Sequence, residues 1–291
     1  MEVSGGGPAL GLAYSAYLPG LIQESPDLFD YVEIPFELLR HEAGVLERVA
    51  AKPVVLHCAS LSIAGRVPPS PDVIDEVAQW IKTTRTPWLG EHFSFVTASR
   101  ADTGGRADEY APGEPYNIGY TVTPPFNDAT VQRVAAVCAQ YVEHFAVPML
   151  VENSPVYFDV PGSAFSQTQA FCRLCETAPV GILLDLAHFY ISARTAGFDP
   201  LEELERWPLD RVWEIHVSGV SEQDLGAWDD HASRAPEIEM ELLRLATRRC
   251  SNLRAITLEY NWASHFPPQL LHDELSRVKS AIAPSRRRRQ R

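Results

Sequence analysis

Seven short apolar runs along the chain each close on, or just before, a side chain able to hold a metal: VEI at Glu33, VVLHC at His57, WLGEH at His92, MLVEN at Glu152, ILLD at Asp185, WEIH at His216 and ITLEY at Glu259. Runs this short and this continuously apolar read as strands buried on both faces, as parallel strands are. ALGLAYS (9–15) reads as an eighth strand ahead of them.

Helical periodicity fills the intervals. PFELLRHEAGVLERVAA (35–51) places Leu38, Leu39, Val45, Leu46 and Val49 near one face. SPDVIDEVAQWIKTTR (70–85) opens with Ser70 as N-cap and Pro71 at the first helical position. NDATVQRVAAVCAQYVEHF (127–145) is the clearest helix, capped by Asn127 or Asp128, with Val131, Val134, Val137, Cys138, Tyr141 and Val142 turned inward. Further helices fit 165–178, 199–207, 235–250 and 267–282.

Strand and helix alternate to the end, which predicts an α/β protein built as a single (β/α)8 barrel. An open doubly wound sheet is the other arrangement of such elements, but GLAYSAYLPG lacks the GxGxxG spacing and no GxxxxGK[ST] occurs. The expected organisation is a flexible N-terminus (1–8), a barrel domain (9–283) and a disordered Arg-rich tail (284–291). Two segments, 97–126 and 218–234, are too long for simple turns and leave strand C-terminal ends, where barrel enzymes keep their active-site loops.

Closing the barrel changes the meaning of the run-ending residues, because parallel strands aim their C-terminal ends at one rim. The candidates there are His57, His92, His188, His216 and His231 with Glu152, Asp185, Asp229 and Glu259. Asp185 and His188 form a DxxH after the sixth strand, and Asp229 and His231 a DxH in the second long segment. A nitrogen and oxygen set without thiolate suits iron, manganese or zinc at a working site, whereas structural zinc recruits cysteine. Nine candidates exceed the needs of one ion and match two or three ions sharing carboxylates. Glu33 and Asn153 are expected to orient ligands by hydrogen bonds. Cys58 beside His57 should face the other side of its strand, and His41, His144, His265 and His272 fall in helices or outer loops. No GxSxG elbow supports a serine nucleophile.

Of the 291 residues, 45 % are hydrophobic and 22 % charged, as in a globular protein with a sizeable core. Net charge is −13, and because five arginines lie beyond residue 285 the body carries −18, which would repel a nucleic-acid backbone. Five cysteines, of which only Cys172 and Cys175 form a CxxC, point to a reducing compartment. MEVSGGGP lacks the basic and apolar regions of a signal peptide, and no apolar run reaches a membrane span, so a cytoplasmic location without membrane contact is expected.

LHCASLSIAG, GEHFSF, LVENSPVYF, LLDLAHFYISARTAGFDPLEEL, LDRVWEIHVSG, the WDDH element and TLEYNW together resemble the multinuclear non-heme iron-dependent oxidase family, relatives of the methanobactin and thiaglutamate pathway peptide oxidases. The resemblance implies a barrel of the xylose-isomerase-like type in which the nine candidate residues hold two or three iron ions. It further implies O2 as co-substrate and oxidation of a residue, often Cys, in a ribosomally synthesised precursor peptide presented by a small partner protein. GLAYS, VEIPFELL and residues 97–126 depart from the family pattern where substrate would be held. Tyr110, Tyr116, Tyr120, Phe126 and Trp228 either exclude water around a bound peptide or pack the loops that carry them. The competing readings are a divalent-metal sugar isomerase or epimerase, a trinuclear-zinc phosphodiesterase on the same barrel, and a non-catalytic platform for a peptide and its partner.

Overall fold

In a computed structural model that describes residues 7–99, 115–223, 226–260 and 268–283, eight parallel strands close into a barrel. They are β1 (Ala9–Ala13), β2 (Tyr31–Pro35), β3 (Val54–Cys58), β4 (Leu89–His92), β7 (Met149–Glu152), β8 (Gly181–Asp185), β9 (Val212–Ser218) and β12 (Ala255–Glu259). They follow one another around the barrel in chain order, β12 pairing with β1. These are the eight strands read from the apolar runs.

The strand period of two sorts each run into an outer and an inner set. Leu10, Leu12, Val32, Ile34, Leu56, Val151, Ile182, Leu184, Ile215, Val217, Ile256 and Leu258 join the main apolar core with residues from the surrounding helices. Facing inward is a separate floor of Ala9, Tyr31, Val55, Trp88, Leu150, Leu183 and Ala255. A Cβ on Gly11 would lie 2.2 Å from the Tyr31 ring, so the missing side chain makes room for the tyrosine that plugs the barrel. Buried Glu214 closes this layer, held by Trp88 Nε1 at 2.7 Å, Tyr31 Oη at 3.0 Å and Thr257 Oγ1 at 2.8 Å.

Between the strands run α1 (Leu18–Glu24), α2 (Phe36–His41), α3 (Val45–Arg48), α4 (Pro71–Thr84), α5 (Asp128–Phe145), α6 (Gln167–Thr177), α7 (Leu186–Ala196), α8 (Pro200–Leu204), α9 (Glu237–Arg249) and α10 (Pro268–Ile282). Asn127 caps α5 by accepting from Thr130 N. The single helix expected over 35–51 is instead two short ones, broken where Gly44 takes a left-handed φ of 78°. Helix α7 was not expected, because Leu186 to Ala193 are all buried and leave no polar stripe to betray a helical period. The short α1 was likewise not foreseen.

The long segments are not plain loops. β5 (Phe95–Ser99) and β6 (Pro115–Val122) form one antiparallel pair, β10 (Val220–Gln223) and β11 (Gly226–Asp229) another, both rising after barrel strands. Tyr110, His265, residues 1–6, the middle of the first long segment and the Arg-rich tail lie outside the described residues. Among the described residues no helix is long and apolar enough to cross a membrane.

Candidate metal centre

Two residues beyond the floor, the inward positions of the barrel strands become polar. Glu33, His57, Glu152, Asp185 and His216 are buried there, with His92 and Glu259 half-buried at the strand ends. The register places His92 beside Glu152 and Asp185 beside His216. Ring centroids of His57 and His92 are 4.7 Å apart, those of His57 and His216 5.5 Å.

The remaining candidates arrive from local turns. Asp185 ends β8 and caps α7, its Oδ1 accepting from His188 N at 2.6 Å, so the DxxH spacing turns His188 back over the barrel. The β10–β11 hairpin returns Asp229 to the end of β9, where Ser218 Oγ donates to its Oδ1 at 3.2 Å. His231 follows in a left-handed turn (φ 50°) that Asp230 fastens by accepting from Ala232 N and Ser233 N, both at 3.0 Å. The turn packs directly on Gly219, where a Cβ would come within 2.0 Å of Ser233 O.

All nine candidate residues thus meet at one end of the barrel, and Glu33 joins them. Five overlapping trios, each with donor atoms within 4.8 Å of one another, connect the set: Glu33, His57 and His216; His57, His92 and Glu152; Glu152, Asp185 and His188; Asp185, His216 and Glu259; His188, Asp229 and His231. Glu33, expected only to orient ligands, is itself in a trio, its Oε2 3.0 Å from His216 Nε2. Asn153, expected to orient ligands, exchanges two 2.9 Å hydrogen bonds with the Asp185 main chain, and its own carbonyl accepts from His188 Nδ1 at 2.8 Å. Cys58 lies on the outer face near Glu37, His41 and His144 are exposed, and His272 is half-buried on α10.

Burying so many ionisable groups is costly unless they pair or bind cations. Burial acts against charge on His57, yet Glu152 and then Glu33 raise it to about 10. His231, also opposed by burial, is raised to about 9 by Glu259 and Asp229. Burial, tempered by His188, pushes Asp185 up to about 7. Against burial, His92 and His57 hold Glu152 well below the ordinary carboxylate range. His92 is lowered, chiefly by burial.

Pairing within the protein does not satisfy the whole set. His92 Nδ1, Glu152 Oε1 and Asp185 Oδ2 are buried without a hydrogen-bond partner. Buried nitrogen and oxygen atoms left without hydrogen bonds on residues of such a donor set are what bound cations would offset, and the residues therefore fit a multinuclear metal centre.

The centre opens through a cavity of about 390 Å³ onto which His92, His188, Asp229, His231 and Glu259 face. Its walls include Tyr157, which stacks on Trp228 at 4.9 Å, and Phe158; neither was among the aromatics expected at the mouth, although both belong to the LVENSPVYF segment. Tyr120, expected here, lines the same cavity. Of its two expected places, Phe126 takes the packing one: it is buried and stacked on Phe93 at 5.9 Å.

The family model described as RiPP precursor modification enzyme MbnB/TglH/ChrH matches residues 9–283. A UPF0276 protein of Anaeromyxobacter sp. (strain Fw109-5) is 27 % identical over 90 % of this chain and 87 % of its own. One of Caulobacter vibrioides is 26 % identical over 86 % and 85 %. Among solved structures, D-psicose 3-epimerase of Clostridium cellulolyticum aligns with TM-score 0.56 at 11 % identity, over 94 % of this chain and 99 % of its own. Endonuclease IV of Thermus thermophilus aligns with TM-score 0.57 at 16 % identity, over 94 % and 100 %. At such identities these structures establish a shared xylose-isomerase-like barrel and nothing about chemistry.

Proposed function

The chain belongs to the MbnB/TglH/ChrH family of RiPP precursor modification enzymes, the multinuclear non-heme iron-dependent oxidases, and on that footing we propose that it is an O2-dependent oxidase acting on a residue, foremost a Cys, of a ribosomally made precursor peptide. The observation that carries this reading is the set of five overlapping donor trios at one barrel mouth. Two or three iron ions would be held by His57, His92, Glu152, Asp185, His188, His216, Asp229, His231 and Glu259, with Glu33 at the deep wall. Bound iron would supply the redox capacity that these side chains lack.

What the side chains do follows from their depth. Glu33, Glu152, Asp185 and His216 are almost closed to solvent, whereas the side chains of His92, His231 and Glu259 are 18, 23 and 23 % exposed. A peptide residue entering the mouth therefore meets the His92, His231 and Glu259 side first. Tyr157, Trp228 and Phe158 would flank the entering chain and exclude water. Among the described residues no lysine lines the mouth, which disfavours lysine-borne proton transfer of the kind a sugar isomerase can use. The net charge of −13 disfavours the DNA substrate of a zinc phosphodiesterase. A small peptide-presenting partner belongs to the same proposal.

Anaerobic loading with ferrous iron, addition of O2, and mass spectrometry of a Cys-bearing peptide encoded beside the gene test the reading. An O2-dependent mass change on the peptide is expected. Zinc in place of iron, with no change in the peptide, would contradict it.

A further inference from the structure

Six large apolar side chains are exposed among the described residues, and four of them gather at the mouth: Phe158 and Tyr120, 63 and 68 % exposed, with Tyr157 and the Trp228 stacked on it. Of the other two, Tyr116 lines a neighbouring cavity and Tyr17 precedes α1. Single exposed apolar residues are ordinary on a protein surface, whereas a group lining one cavity marks a binding site. This group shares its cavity with His92, His188, Asp229, His231 and Glu259, so the mouth has one wall of candidate ligands and one apolar wall.

The two walls are fixed to each other. Tyr157 and Trp228 stack with ring centroids 4.9 Å apart and 24° between their planes, and Trp228 immediately precedes Asp229 in the chain. Asp229 N donates to Tyr157 Oη at 3.4 Å, so the tyrosine of the apolar wall also touches the main chain of a candidate ligand. Phe158 follows Tyr157 directly, and the loop that carries both is tied to α7 where Val156 N donates to Ser192 Oγ at 3.0 Å. A compact cavity of about 390 Å³ is about 7 Å across, and extended chain advances about 3.3 Å per residue, so side chains at most two residues apart reach the two walls.

Resting on the peptide-oxidase reading, we infer that Phe158 and Tyr120 determine specificity: they select a bulky apolar side chain, foremost an aromatic one, within two residues of the peptide position held at the metals. That side chain lies against Phe158, Tyr120 and the Tyr157–Trp228 stack, where apolar burial and ring-to-ring contact favour it over a small polar one. The fixed separation of the walls makes the preference specific to one spacing.

Fluorescence anisotropy with iron-loaded protein under anaerobic conditions tests this. The probes are labelled dodecapeptides with one Cys and one Phe at varied spacing from it, and a matched set with Ser in place of the Phe. At one spacing, within two residues of the Cys, the Phe peptide should bind about tenfold more tightly than its Ser partner. High salt should leave the difference undiminished, because no ion pair carries it. The preference should vanish in the Phe158→Ser/Tyr120→Ser double variant and persist in Phe158→Leu/Tyr120→Phe. Both side chains are largely exposed, so thermal unfolding and iron content should match wild type in both variants. Equal affinities for Phe and Ser peptides, a Phe preference of the same size at every spacing, or a preference untouched by the double serine substitution would overturn the inference. Admitting O2 separates the two proposals: oxidation without a Phe preference removes this one alone, and a Phe preference without oxidation removes the oxidase reading alone.

Discussion

His188 Nδ1 donates to the main-chain oxygen of Asn153 across 2.8 Å, leaving Nε2 to face Asp229 Oδ2 at 3.0 Å. A main-chain oxygen can only accept, so Nδ1 keeps its proton, and Nε2, which donates to the Asp229 carboxylate in the metal-free protein, is the nitrogen whose proton a bound cation would displace. Asn153 is itself clamped by two hydrogen bonds to the Asp185 main chain, which ties the end of β7 to the end of β8.

Asn153→Ala should therefore weaken metal binding by about 10- to 100-fold while the barrel stays folded. Titration with ferrous iron under anaerobic conditions, alongside circular dichroism, measures both. Unchanged affinity would show that the clamp has no part in holding His188.

In metal-free protein, protons occupy the imidazoles that cations would displace. His57 is raised to about 10 and His231 to about 9, in each case with burial opposed by neighbouring carboxylates. A raised folded-state pKa stabilises fully below the ordinary value near 6.5 and loses that contribution as pH climbs through the folded value. The metal-free melting temperature should fall between about pH 7 and 10, and metal binding near neutral pH should release protons, detectable with an indicator dye. A flat melting profile across that window would contradict the pairing.

Gly219→Ala should displace the turn carrying His231, because the added Cβ would meet Ser233 O at 2.0 Å and main chain cannot swing aside as a side chain can. Loss of at least one bound ion per chain, with about 1–3 kcal/mol of destabilisation in chemical unfolding, is expected. Full metal content in this variant would mean that the turn is not needed to assemble the centre.

Gly11→Ala is the contrast. Its Cβ would press on the Tyr31 ring in the floor, below the polar layer. Destabilisation of about 1–3 kcal/mol is expected with metal stoichiometry unchanged.

Strand periodicity explains how much of this was legible in sequence. Tyr31 and Glu33, Val55 and His57, Leu150 and Glu152, Leu183 and Asp185, and Glu214 and His216 are pairs two apart, so the floor and the cage are successive inward positions on the same strands. The run endings revealed the upper layer, and the same period would have found Glu214 beneath His216. The all-round burial of Leu186–Ala193 concealed α7, because only a helix with a wet face shows its period. Short polar strands concealed both hairpins, including the β10–β11 pair whose return places Asp229 against Ser218, a long-range contact that local pattern does not encode. Sequence left Phe126 open between the mouth and packing, because its burial depends on Phe93, distant in sequence.

Metal stoichiometry of anaerobically iron-loaded protein, by inductively coupled plasma mass spectrometry, bears most directly on the caged cluster. Wild type and His41→Ala should each retain two to three irons per chain, while His57→Ala, His216→Ala and Glu259→Ala should each lose at least one without loss of the fold. Identical iron content in all three mouth variants and wild type would contradict a metal centre built from these residues.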